Sequence, residues 1–100
     1  MAIDVHPDEL RRRLAAGEPL VLLDVREAEE VAEWAFPGAL HIALSELAGR
    51  TTELPTDRLI VVVCHAGVRS VAAADALVHA GWPAENLVGG VMAWQATGRP

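Results

Sequence analysis

The chain has 100 residues, 52% of them hydrophobic, which is enough for one domain with a substantial core and too few for two. A formal net charge of −6 argues against nucleic acid or an anionic membrane as partner, and a single cysteine excludes an internal disulfide. All eight basic residues are Arg, no apolar run reaches the length of a membrane span, and the opening MAIDVHPDEL lacks signal-peptide character, so a cytoplasmic protein is expected.

In chain order, Ile3–Val5 reads as a short first strand. Pro7 and Asp8 open a helix over residues 7–16, with Leu10 and Leu14 on one face and Gly17 as its stop. Arg11, Arg12 and Arg13 within it form a basic run, expected as a solvated face. Residues 20–23 form a second, buried strand that runs into Asp24, Val25 and Arg26. A short helix is expected over 28–34, with Glu27, Glu29 and Glu30 favourably placed near its positive end. Pro37-Gly38 is a turn, 39–42 a third strand, and 44–49 a helical turn or two that Ser45 is placed to cap. Pro55 precludes regular helix through the polar connection 51–57.

Leu59–Val63 is an unbroken, β-branched apolar run without polar alternation, the pattern of a strand buried on both faces. A helix then runs to about Ala80, stopped by Gly81 and Pro83. Leu87 and Val88 stand where a last strand belongs, Gly89-Gly90 punctuates, 91–96 is a closing helix, and Gly98-Arg99-Pro100 ends the chain. Strands alternating with helices predict an α/β fold, a parallel sheet with helices on both faces.

The only cysteine, Cys64, falls at the carboxyl end of the central strand, followed by Gly67, Arg69 and a helix N-terminus. Ligands bind at that edge of open α/β sheets. Tightly turned backbone amides form an anion nest, and the helix adds partial positive charge at its start. Both stabilise a thiolate, as does a neighbouring arginine. Gly67 permits positive φ or close approach, and Arg69 offers a guanidinium to an oxyanion. A free cysteine is more often a buried structural residue. Cysteine, glycine and arginine together at a strand-to-helix junction favour a reactive thiol instead.

The four histidines, His6, His41, His65 and His79, show no metal-ligand spacing beyond the adjacent Cys64-His65 pair, and no metal or other cofactor is expected. His65 is placed to tune the pocket locally. Asp24 and Arg26 end the neighbouring strand on the same edge as Cys64. They read either as a pair that braces the loop or as a turn cap and a surface ion pair. Trp34, Trp82 and Trp94 read as core or rim packing, and Ser70 as a helix cap.

VLLDVRE (residues 21–27), PGALHIALSEL (37–47), IVVVCHAGVRS (60–70), the Ala-rich helix ending in Gly81, and NLVGGVMAW (86–94) together resemble the single-domain rhodanese family of thiosulfate and persulfide sulfurtransferases. The likeness covers nearly the whole chain, and the cysteine loop is its most specific part. It implies a five-stranded parallel sheet flanked by helices, with Cys64 carrying sulfur as a persulfide and His65, Ala66, Gly67, Val68 and Arg69 surrounding it. One departure stands out: the family's Gly-His-Ile run before the Pro-Gly turn is Trp34-Ala35-Phe36 here.

The leading expectation is therefore two-step sulfur transfer through Cys64, from a small-molecule donor such as thiosulfate to cyanide or a thiol. A sulfur-acceptor protein is a further candidate partner. Two alternatives remain open on the sequence: a sulfur-relay or regulatory binding module, and a cysteine-dependent phosphatase or arsenate reductase on the same fold. Loop length bears on the last. Four residues separate Cys64 from Arg69, whereas the cysteine phosphatases that resemble this fold have five.

Overall fold

A computed structural model describes residues 1–98; Arg99 and Pro100 lie outside the described residues. Five strands, β1 (Ile3–Val5), β2 (Leu20–Asp24), β3 (Leu40–His41), β4 (Leu59–Val63) and β5 (Ala84–Leu87), form one sheet in the order β1-β5-β4-β2-β3. Every pairing is parallel, with Leu20–Asp24 opposite Leu59–Val63. The helices are α1 (Pro7–Ala15), α2 (Ala28–Glu33), α3 (Leu44–Arg50), α4 (Arg69–His79) and α5 (Gly90–Ala96). No helix among the described residues is long and apolar enough to cross a membrane.

β4 shows why its sequence is apolar throughout. Side chains alternate across a strand, so Ile60 and Val62 pack with Ala73, Ala74 and Leu77 of α4 and Leu47 of α3. Val61 and Val63 face the opposite cluster, with Leu10 of α1 and Val91 of α5. All four residues from Ile60 to Val63 are fully buried. The expected helices on both faces are thus present, and they split the core into two layers.

The elements differ from expectation in several places. β5 begins at Ala84, earlier than Leu87. Its sequence AENL hides it, because Glu85 pairs with Arg13 at 3.0 Å and Asn86 is buried in a polar contact. Ser45 lies inside α3, whose N-cap is Ala43, and makes no capping bond. The arginine run is only partly solvated: Arg13 also reaches Glu18 at 2.9 Å, and the Arg11 guanidinium lies 3.9 Å over the Trp94 ring. The Trp34-Ala35-Phe36 segment packs through its aromatics, with Phe36 buried between Trp34 (5.6 Å) and Trp94 (4.8 Å), the packing role expected of both tryptophans.

Candidate active site

The alternation of β4 carries one residue past the strand, so Cys64 continues the face of Ile60 and Val62 and lies under α4. It is 1% exposed. The chain then turns sharply enough for the Gly67 N–H to donate to the Cys64 Sγ at 3.1 Å, and the Ser70 N–H reaches the same sulfur at 3.4 Å. The N-cap of α4 is Val68, with no side-chain cap. The sulfur accepts from an amide in the first turn that a capping side chain would otherwise satisfy.

Ser70 itself is inside the helix and is not the expected cap. Its hydroxyl lies 3.2 Å from the Cys64 Sγ and donates to the Asn86 Oδ1 at 2.5 Å. The helix begins two residues earlier than the cap assignment required, which turns this side chain inward to the sulfur. Burial pushes the Cys64 thiol up, but the Ser70 hydroxyl, when its proton is turned to the sulfur, and the amides of Ser70, Gly67 and Ala66 outweigh it, leaving the thiol below its ordinary range.

Two glycines outside the loop complete it. The Val91 N–H donates to the Cys64 carbonyl at 2.8 Å and the Met92 N–H to the His65 carbonyl at 3.0 Å, so the start of α5 holds the loop from behind. This contact requires Gly90, at φ +57°, because a Cβ there would collide with the Cys64 carbonyl oxygen. Gly67, at φ +89°, would place a Cβ 2.7 Å from the Gly89 amide nitrogen. Gly89-Gly90 read as mere punctuation in the sequence; a paired glycine opposite a glycine-bearing loop was the available signal.

Arg69 is engaged rather than free. Both of its terminal nitrogens donate to Glu30 of α2, at 2.6 and 2.8 Å. The Arg69 hydrogen bond, against the opposing effect of burial, holds the Glu30 carboxyl down to about 2. Arg69 is in turn held further toward its charged form, chiefly by Glu30 and in lesser part by the field of Cys64. In this structure it contributes positive charge near the sulfur, with its N–H fork already occupied.

Asp24 caps its turn, its Oδ1 accepting from the Arg26 backbone N–H at 3.0 Å, but the ion pair with Arg26 is buried and not on the surface. They are 1% and 2% exposed, and the Arg26 Nη2 donates to Asp24 Oδ2 at 2.7 Å. The same nitrogen donates to the Trp34 carbonyl at 2.7 Å, and the Arg26 carbonyl meets His41 Nε2 at 2.7 Å. The pair therefore ties β2 to the end of α2, the helix that presents Glu30 to Arg69. His65, Ala66 and Val68 are exposed around the sulfur. A cavity of about 330 Å³ opens beside them, lined by His65, Glu30, Glu33 and Trp34 among others. A larger apolar cavity, about 380 Å³, lies between α3 and α4 against Leu44, Ala76 and Trp82, and includes no residue of the loop.

With this geometry in view, known proteins provide a direct comparison. The rhodanese-like domain family matches residues 6–97. The chain is 37% identical over 97 residues to the putative sulfurtransferase YtwF of Bacillus subtilis, covering 97% of this chain and 94% of that protein. It is 35% identical over 101 residues to a sulfurtransferase of Allochromatium vinosum, covering 100% of this chain and 94% of the relative. The human single-domain sulfurtransferase TSTD1 superposes with a TM-score of 0.84 at 30% identity, covering 99% of this chain and 100% of that one. Two longer relatives, of which this chain spans 50% and 25%, are named as a putative sulfur carrier protein and as a probable adenylyltransferase/sulfurtransferase. A buried cysteine ringed by amides at the end of a central parallel strand, together with a match along almost the whole chain, places this protein in the rhodanese-like domain family.

Proposed function

We propose that this protein is a sulfurtransferase that carries sulfane sulfur on Cys64. The observation that carries the reading is the convergence of the Gly67 and Ser70 amides on one thiol held below its ordinary range. The Cys64 thiolate attacks the outer sulfur of thiosulfate. A sulfur–sulfur bond forms to Cys64, the bond to the sulfonate sulfur breaks, and sulfite leaves with its electron pair. Cyanide or a thiolate then attacks the outer sulfur, and the electrons of the broken bond return to Cys64. The amides facing Sγ suit an anionic sulfur in both steps, by the logic of an oxyanion hole. Since Cys64 is 1% exposed, the donor presents its outer sulfur through the loop mouth formed by His65, Ala66, Gly67 and Val68. Arg69 supplies charge behind that mouth, and the relative named as a putative sulfur carrier protein supports a protein thiol as a second kind of acceptor.

The four-residue spacing between Cys64 and Arg69 favours sulfur over phosphate. A ring this short holds its donors near the first sulfur, whereas a phosphoryl group needs donors further out. Misplacement by about an ångström costs on the order of a hundredfold in rate. The test is intact mass after incubation with thiosulfate, with thiocyanate production from cyanide alongside. We expect one added sulfur on the native protein, no added sulfur and no turnover in a folded Cys64→Ala variant, and negligible hydrolysis of an aryl phosphate. An unmodified native mass, turnover surviving in the variant, or efficient Cys64-dependent phosphate release would overturn the reading.

A further inference from the structure

Behind Cys64 a line of polar side chains runs across three elements, from the interior to the sheet edge. The Ser70 Oγ lies 3.2 Å from the Cys64 Sγ and 2.5 Å from the Asn86 Oδ1 on β5, and the Asn86 Nδ2 lies 3.2 Å from the Asp4 Oδ1 on β1. Ser70 and Asn86 are 0% and 4% exposed, while Asp4 is exposed on the edge strand. Asp4 and Asn86 are direct partners in the sheet register, so their neighbouring positions are set by backbone pairing.

Counting protons orients this line. The Asp4 carboxylate offers only acceptors, so the Asn86 side toward it must be the N–H₂ group, and its carbonyl must face Ser70. A hydroxyl has one proton. Two oxygens 2.5 Å apart require a proton between them, and Asn86 Oδ1 has none, so the Ser70 proton points to Asn86. Ser70 then turns a lone pair toward Cys64, a good partner for an S–H and a poor one for an anionic sulfur. For Ser70 to donate to the thiolate it must withdraw its proton from Asn86 and leave a buried carbonyl without a donor.

We propose that Asp4 and Asn86 are positioning residues that compete with Cys64 for the Ser70 hydroxyl proton and so limit how strongly Ser70 stabilises the sulfur anion. This rests on the sulfur-transfer reading of Cys64 and adds to it a brake on the nucleophile, set from the sheet edge. The persulfide meets the same competition, because its inner sulfur carries no proton to give to Ser70.

The other ionisable groups around the sulfur are His65 in the loop, Arg69 with its partner Glu30, and the Asp24–Arg26 pair; Glu85 on β5 is held by Arg13. A double-mutant cycle leaves them all in place. Alkylation of Cys64 by iodoacetamide is followed against pH in the native protein, Asp4→Asn, Ser70→Ala and the double variant, with thermal melting of each. Asparagine at the exposed position 4 keeps size and fold, and it lets the Asn86 amide turn its N–H₂ group to Ser70. The Ser70 proton then moves to the sulfur. We expect the alkylation midpoint to fall by about one pH unit in Asp4→Asn, the order of one charge-assisted hydrogen bond changing hands. Adding Asp4→Asn to Ser70→Ala should change nothing. An equal fall in both backgrounds would show that Asp4 acts only through its charge across space, and that result, like an unchanged midpoint in the single variant, overturns the proposal. Alkylation needs no sulfur donor, so failure of thiosulfate to load Cys64 would remove the transfer reading while this measurement still decides the line.

Discussion

The two flanks of the Cys64 loop are held by different chemistry. Toward α5 the loop is fixed by backbone: the amides of Val91 and Met92 on the carbonyls of Cys64 and His65, at 2.8 and 3.0 Å, in space left by Gly67, Gly89 and Gly90. Toward α2 it is fixed by side chains: Arg69 on Glu30, with the buried Asp24–Arg26 pair anchoring α2 behind. Backbone contacts across glycine leave no room for adjustment, because the atoms in the way cannot rotate aside. Side chains on a half-exposed surface can rearrange, titrate and be screened by salt. The rigid flank sets the position of the sulfur, and the soft flank tunes the charge beside it.

The sharpest way to break this contrast is Gly90→Ala. At φ +57° an L-residue costs roughly 1–2 kcal/mol, and the new Cβ meets the Cys64 carbonyl oxygen, which moves only if the loop moves. We expect a loss of about 4 kcal/mol or more, in the range kept for strain and steric conflict together, measured by denaturant unfolding, with sulfur transfer abolished. A stable, active Gly90→Ala protein would show that the α5 flank is not rigid.

Next in size is Arg26→Ala, which reaches the deepest part of the soft flank. It strands a buried Asp24 carboxylate and frees the Trp34 carbonyl. Breaking a buried pair from one side costs about 3 kcal/mol, so a marked drop in unfolding midpoint is expected. A change under about 1 kcal/mol would class the pair with ordinary surface ion pairs.

The smallest effect is expected for Glu30→Gln, since Arg69 and Glu30 are 35% and 31% exposed and the pair is partly screened. Its loss should cost below about 1 kcal/mol at neutral pH. The Arg69 hydrogen bond depresses the folded carboxyl to about 2, whereas the unfolded one ionises near its ordinary value of 4.5. A depressed folded value means the contribution is present above pH 4.5 and is lost as pH falls toward 2. The stability gap between the native protein and Glu30→Gln should therefore close across that acid window, and added salt should narrow it at neutral pH. A gap independent of both would mean that Glu30 acts by packing.

Some of this molecule was legible in residues that are neighbours along the chain. LIVVV announces a strand buried on both faces because its apolar content is continuous, and the sheet delivers that burial. Cysteine, glycine and the start of a helix within six residues announce an amide-ringed thiol, because a tight turn and a helix N-terminus are local geometry. The parallel sheet follows from alternating strand and helix patterns. Other features depended on residues far apart. Arg69 finds Glu30 across 39 positions and Asn86 finds Asp4 across 82. β5 is a strand although AENL lacks a strand pattern, because its edges are hydrogen-bonded between β1 and β4 and its polar side chains find partners there. Local sequence determines backbone preference and which faces must be buried. Which charge meets which, where a hydroxyl sends its one proton, and which glycine must stay bare are decided only when distant strands and helices are brought together.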